Sequence, residues 1–379
     1  MTDTKPEARL LNGELWNEFC DALKAAGAQV LAAGVPDDPL TRAEGYRYLT
    51  RLLRLGLEKQ IEFSDPQHPQ FYSLSHETAK IGNDNPDNFY QNCAVDGRHE
   101  YRIRGNRGTV DYLSIETKAG SFAGQGDMAP TGHVELADLA VDANGDFELV
   151  VSAREHPGNW LPMTEASDNL LVRQTFRDRA TEKKAELSIE CLDPATDPVL
   201  DPATFAAQLE AVVPFVSGTA GLFHQWMQHF AGHINQLPPN DQSMCLRAGG
   251  DPAIHYHNSY WQLEPDQALV VEFTPPRECR TWNLQLSNYW MESLDYRYHR
   301  VCVNRHNAVL QADGSVRIVI ADAAFADAAF ADAAPERDWP NWLDTAGHRS
   351  GAMLLRYVEA RDKPPVSTRV VPLAALRAD

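Results

Sequence analysis

The strongest constraint on the fold is a change of period along the chain. From about residue 90 the sequence breaks into short β-prone runs: Tyr101 to Arg104, Asp111 to Thr117, Phe147 to Ser152, Leu170 to Phe176 and Ala185 to Leu192. Strand-like runs resume at Ala268 to Phe273, Thr281 to Leu286, Arg300 to Val303, Ala308 to Leu310 and Ser315 to Ile320. Asp96-Gly97, Asn144-Gly145 and Asp313-Gly314 punctuate them with residues that tolerate positive φ, which predicts two-residue hairpins and an antiparallel arrangement. A chain of this kind buries its apolar side chains between two sheets.

Ahead of the strands the period is helical. Leu15, Trp16, Phe19, Leu23, Ala26 and Val30 recur at three- and four-residue steps, and Tyr46, Leu49, Leu53 and Leu57 form a second stripe. Thr41 to Glu44 fits a capping box at the start of that second helix. A third helical stretch, about residues 202–233, interrupts the strands, and Pro214, Gly218 and Gly221 are expected to kink or split it. The expected fold class is mainly β with helices (α+β), a jelly-roll-like antiparallel two-sheet β-sandwich. It has a helical N-terminal segment over residues 1–84 and a sandwich over 85–379 carrying the central helical insertion. Alanine-rich Ala321 to Ala334 reads as an exposed insert without a catalytic role.

Charge limits the partners. The chain carries 34 Lys and Arg against 53 Asp and Glu, a net charge of −19, which repels nucleic acid and anionic membranes at long range. A small anionic ligand in a local basic patch stays compatible with it. Neither a leader of the secretory type nor a long apolar span is visible, so a cytoplasmic location is expected. The six cysteines form no Cys-x-x-Cys pair and read as reduced thiols.

Several blocks resemble the domain-of-unknown-function 1214 family. They are Asn85 to Tyr90, Tyr101 to Gly105, Gly158 to Pro162 and Leu171 to Gln174, then Tyr260 to Leu269, Trp282 to Leu286, Trp290 to Arg297 and Asn341 to Arg349. The resemblance covers about residues 85–379 and implies a jelly-roll-like sandwich with little chemistry attached.

No Gly-x-Ser-x-Gly elbow, P-loop or dinucleotide turn occurs, which disfavours nucleotide chemistry. His255 with His257, and His229 with His233, have spacings seen in metal sites but lack the remaining ligands of a recognisable motif; no metal and no cofactor is expected. General acid–base work is left, and Asp344 and His348, four apart, suggest a carboxylate-oriented imidazole, with Asp295 and Glu292 as further candidate catalytic groups. Alternation along Trp282 to Ser287 would aim Asn283 and Gln285 at a concave face, joined by Tyr289, Trp290, Tyr296, Arg297, Trp342 and Arg173 as ligand-binding residues. The function expected first is an intracellular catabolic enzyme, a hydrolase or lyase, acting on a ring-containing small molecule. A carbohydrate-active hydrolase and a non-catalytic carbohydrate or small-molecule binding protein are the alternatives. A homo-oligomer is left open.

Overall fold

The computed structural model describes residues 6–122, 128–194, 196–323 and 339–377, so the alanine-rich insert lies outside the described residues from Ala324 on. Helices α1 (Pro6–Leu11), α2 (Glu14–Ala26) and α3 (Pro39–Leu57) come first. The cap of α3 is Asp38, whose carboxylate accepts the Thr41 N–H at 2.9 Å with Pro39 in the first turn, and this displaces the expected Thr41 to Glu44 box. Glu44 is thereby released for other contacts. Trp16, placed on the apolar stripe of α2 by its spacing, is 61% exposed.

Eight strands follow: β1 (Asn88–Ala94), β2 (Tyr101–Asn106), β3 (Tyr112–Ala119), β4 (Ala129–Glu135), β5 (Asp146–Ser152), β6 (Trp160–Pro162), β7 (Asn169–Thr175) and β8 (Glu186–Cys191). They form two sheets, β1-β7-β3-β4 and β6-β5-β2-β8, closed over Tyr101, Ile103, Ile115, Leu149 and Val172. Helices α4 (Pro202–Phe230) and α5 (Gln242–Arg247) lead into β9 (Ile254–Gln262), β10 (Gln267–Phe273), β11 (Thr281–Ser287), β12 (Cys302–Asn304), β13 (Val316–Ala321), β14 (Trp342–Asp344), β15 (Ser350–Val358) and β16 (Ser367–Pro372). These form sheets β9-β15-β11-β12 and β14-β13-β10-β16 over a core of Trp261, Leu269, Trp282, Leu284, Ile318 and Leu355. The α+β sandwich class expected from the sequence is what the structure has, and it has it twice. Numbered from its own first strand, the second sandwich has the strand orders of the first, and the parallel pair β5 with β6 is matched by β13 with β14.

The repetition reaches individual side chains. Asn159, just before β6, accepts the Ala140 N–H and donates to the carbonyls of Ala140 and Glu148 at 2.8 to 2.9 Å. Asn341, just before β14, accepts the Val309 N–H and donates to the carbonyls of Val309 and Arg317 at 2.8 to 3.0 Å. Consecutive strands mostly lie in opposite sheets. Asp96-Gly97 therefore carries the chain from β1 across to β2, and Asn144-Gly145 precedes a strand not paired with β4, which corrects the expectation of hairpins there. Asp313-Gly314 does close a bridge, between Leu310 and Val316.

Helix α4 runs unbroken through Pro214. By length and composition it could cross a membrane, but it packs on α2, α3 and β9 and buries Val212, Phe215, Val216, Phe223, Met227 and Phe230. With Tyr48, Leu52, Tyr112, Tyr256, Tyr260 and Leu354 it forms a third core between the helices and the two inner sheets.

Candidate functional site

A cavity of ≈ 150 Å³ opens where the inner sheets of the two sandwiches meet beneath α4. Period-two alternation builds its walls. In β1 the residues Asn88, Tyr90 and Asn92 line it, with Leu171 and Arg173 from β7; in β9 they are Ile254, Tyr256 and Asn258, with Leu354 and Arg356 from β15. The intervening residues, such as Cys93, Val172, Met353 and Leu355, pack the two sandwich cores. Phe122, Phe223, Trp226, Ile81 and Met128 add an apolar lining.

The two walls are copies of each other. Tyr90 stands opposite Arg173 in the β1/β7 ladder and Tyr256 opposite Arg356 in β9/β15; Asn92 faces Leu171 as Asn258 faces Leu354. Before each first strand runs an Asx-Pro turn, Asn85-Pro86 or Asp251-Pro252, whose side-chain oxygen accepts the N–H two residues on. The N–H of Asn85 is received by the Tyr90 hydroxyl at 2.9 Å, and that of Asp251 by the Tyr256 hydroxyl at 2.8 Å. Each arginine donates to a backbone carbonyl in the lead-in of the other repeat: Arg173 to Gly249, Arg356 to Asn83. Both acceptors have positive φ, +88° and +58°, a conformation open to glycine and tolerated by asparagine.

Charge distinguishes the walls. Arg173 is ion-paired with Glu116 and stands 3.8 Å from Asp251, while Lys118 is 2.6 Å from the other oxygen of Glu116. Burial pushes Lys118 down to about 8. Burial alone would raise the Asp251 carboxyl, but His133 and Arg173 outweigh it and hold the group well below the usual range. Glu116, His133 and Asp251 could by donor type hold a metal ion, yet the Lys118 and Arg173 cations already occupy the Glu116 oxygens. Arg356, 5% exposed, donates instead to the Gln285 side-chain oxygen at 2.5 Å and to Asn83 O, and among the described residues no carboxylate lies within salt-bridge distance of it. Arg356 also acts at longer range on Asp84, whose carboxyl is raised by its own burial and accepts from Ser293 N and Oγ at 2.8 Å. Burial pushes both Tyr90 and Tyr256 up against the pull of both arginines, so each phenol keeps its proton. Each hydroxyl already accepts a backbone N–H, which leaves that proton to donate.

Of the residues singled out in the sequence, Arg173 lines this cavity. Asn283 and Gln285 stand behind its wall, where Asn283 donates to Asn85 Oδ1 at 2.6 Å and Gln285 to Asp84 O at 2.8 Å. Glu292, Asp295 and His348 gather round a separate polar pocket with Glu44, Arg47, Arg51, Lys80 and His299. Their acids are committed: Glu292 to Arg51 at 2.5 Å, Asp295 to Arg297 at 2.7 Å. The expected pairing of Asp344 with His348 is corrected. Residues 342–344 form a strand and not a helix, which turns Asp344 to His299 at 2.7 Å, and His348 Nε2 meets Glu44 at 3.1 Å while Nδ1 meets Thr345 O. Burial pulls the His348 imidazole down, but Glu44 and Thr345 prevail and hold it above its ordinary value. Tyr289 bridges Gly34 O and Gln228, Trp290 Nε1 donates to Thr41 O at 2.9 Å, Tyr296 lies under Lys80, and Trp342 is core. Tyr90, Tyr256, Asn258 and Arg356 were not picked out, although Tyr-x-Asn and Leu-x-Arg each occur twice in strand-like runs.

No family model and no curated protein matches the chain. Among solved structures it is similar to an uncharacterized protein from Burkholderia cenocepacia, at 48% identity over 97% of this chain and 99% of that one, with a TM-score of 0.91. A Vibrio parahaemolyticus protein aligns at 11% identity over 86% of this chain and 98% of that one, with a TM-score of 0.48 that carries no argument. A close-set double sandwich shared at nearly half identity over nearly the full length leaves one conclusion: the chain belongs to the same family as the Burkholderia cenocepacia protein.

Proposed function

We propose that the chain binds a small organic anion with an apolar body in the seam cavity. Arg356 carries the proposal: a buried guanidinium among uncharged acceptors lacks the counter-charge that buried cations ordinarily have, and an acidic ligand would supply it. The free protons of Tyr90 and Tyr256 would complete the oxyanion's hydrogen bonds, and the Phe122, Phe223 and Trp226 rings would take the apolar portion. A cavity of about 150 Å³ in another protein admits benzene, which sets the scale of that portion.

The observations favour binding over acid–base turnover. Asp84 is the one carboxyl among the described cavity-lining residues, and both of its oxygens already accept from Ser293 N and Oγ, while burial pushes the Cys245 thiol up to about 12 and so away from a thiolate. Titration calorimetry with hexanoate and benzoate tests the reading. Binding is expected, with Arg356→Met weakening it by about 10- to 100-fold, the size of one charge-assisted hydrogen-bond pair. Equal binding of the acids and of their neutral amides would reject it.

A further inference from the structure

We infer that the cavity accepts ligands with one acidic end and turns away those with two, because duplication left its twin arginines in opposite charge settings. This rests on the anion reading above and adds the charge of the ligand to it. Registers of the inner sheets place Glu116 opposite Leu171 and Gln285 opposite Leu354, so positions 116 and 285 are equivalent; positions 251 and 85 are equivalent in the two lead-in turns. Around Arg173 both positions of its set are acids, Glu116 and Asp251. Around Arg356 both are amides, Gln285 and Asn85.

The frame is unchanged by the exchange. Ser114 Oγ donates to Asp251 Oδ2 at 2.7 Å, and its counterpart Asn283 Nδ2 donates to Asn85 Oδ1 at 2.6 Å. Lys118 Nζ donates to Gly250 O, as Gln285 Nε2 does to Asp84 O in the other half. The two halves differ in charge while the hydrogen-bond geometry is kept. A carboxylate brought to Arg173 meets a guanidinium already paired with Glu116, which Lys118 also holds, with the ionised Asp251 beside it; at Arg356 the direct partners are neutral acceptors, and Asp84 of the lining is engaged by Ser293 N and Oγ. A six-carbon monoacid can therefore place its acid at Arg356 and its chain on the apolar lining. Its diacid counterpart must leave the second charge in apolar surroundings or against two acids.

The test is calorimetry with hexanoate, adipate and hexanamide on the full chain, its Glu116→Gln and Gln285→Glu variants, and Asp251→Asn as a second route to the same charge change should Glu116→Gln fold poorly. Hexanoate is expected to bind the unaltered chain at least about tenfold more tightly than adipate or hexanamide. Gln285→Glu should erase the preference for hexanoate over hexanamide, and Glu116→Gln or Asp251→Asn should narrow the gap between hexanoate and adipate by about tenfold. Ratios within one variant cancel any general loosening of the fold. If hexanoate binds and these ratios do not move, or if adipate binds the unaltered chain as well as hexanoate, the charge inference is overturned while the anion reading stands. If neither acid binds the unaltered chain, both fall.

Discussion

At the scale of single residues, the two cavity arginines are chemically alike and energetically different. Removing Arg173 leaves Glu116 and Asp251 buried, with Lys118 as the remaining strong counter-charge. Removing Arg356 leaves only neutral acceptors. Arg173→Met is therefore expected to destabilise the chain by about 3–5 kcal/mol, the cost of stranding buried charge. Arg356→Met should cost only about 1–2 kcal/mol, the cost of unfilled neutral hydrogen bonds. Urea unfolding of the two variants decides it, and equal losses would mean that Arg356 has a counter-charge after all. Arg173 was legible in the sequence because a strand arginine aimed inward calls for an acid or an anion. Arg356 was equally visible but is set in Leu354-Leu355-Arg356-Tyr357, a run whose neighbours read as core. Nothing local reports that its acceptors would be an amide and a carbonyl from remote segments.

Among the elements, strands were easier to read than their partners. Eight of the ten runs assigned to strands in the sequence fall on β2, β3, β5, β7, β8, β10, β11 and β13, since alternation is a local property of a chain; Arg300 to Val303 only overlaps the start of β12, and Ala308 to Leu310 forms no strand beyond the bridge at Leu310. Sheet membership is not local, and the turn pairs Asp96-Gly97 and Asn144-Gly145 were misread because the same residues serve a crossing between sheets as well as a hairpin. The polar pocket is instructive in the same way. Residues Glu292, Asp295 and His348 do assemble, but Glu44 supplies the carboxylate to His348 because α3 is capped one turn earlier, at Asp38. The clamps at Asn159 and Asn341 give a prediction at this scale. Each holds two backbone segments through three hydrogen bonds, so Asn159→Ala and Asn341→Ala should each cost about 2–4 kcal/mol, with values close to one another. Unfolding midpoints measure it, and a large loss in one with none in the other would deny the equivalence of the clamps.

For the whole molecule, the lead-in segments decide how the two sandwiches cohere. Residues 83–85 bond to Arg356, Gln285 and Asn283 of the second sandwich, and residues 249–251 bond to Arg173, Lys118 and Ser114 of the first. Each sandwich is thus finished by a strap from the other half. A chain cut between β8 and α4 should give halves that do not fold separately and that recover native circular dichroism when co-expressed; independently folded halves would show the straps to be dispensable. The double architecture was not read from the sequence, because the repeat survives in geometry and in scattered pairs such as Asn159-Trp160-Leu161 and Asn341-Trp342-Leu343, too sparse to register as periodicity.

Crossed straps of this sort have a consequence for symmetry. Two separate copies of a half-chain joined in this way would be related by a two-fold axis through the seam, and a pocket on such an axis must present the same walls to both sides of its guest. Fusing the copies into one chain lifts that obligation. Position 116 can carry an acid while position 285 carries an amide, and a pocket that on the axis would hold a lopsided guest equally well either way round gains a head and a tail.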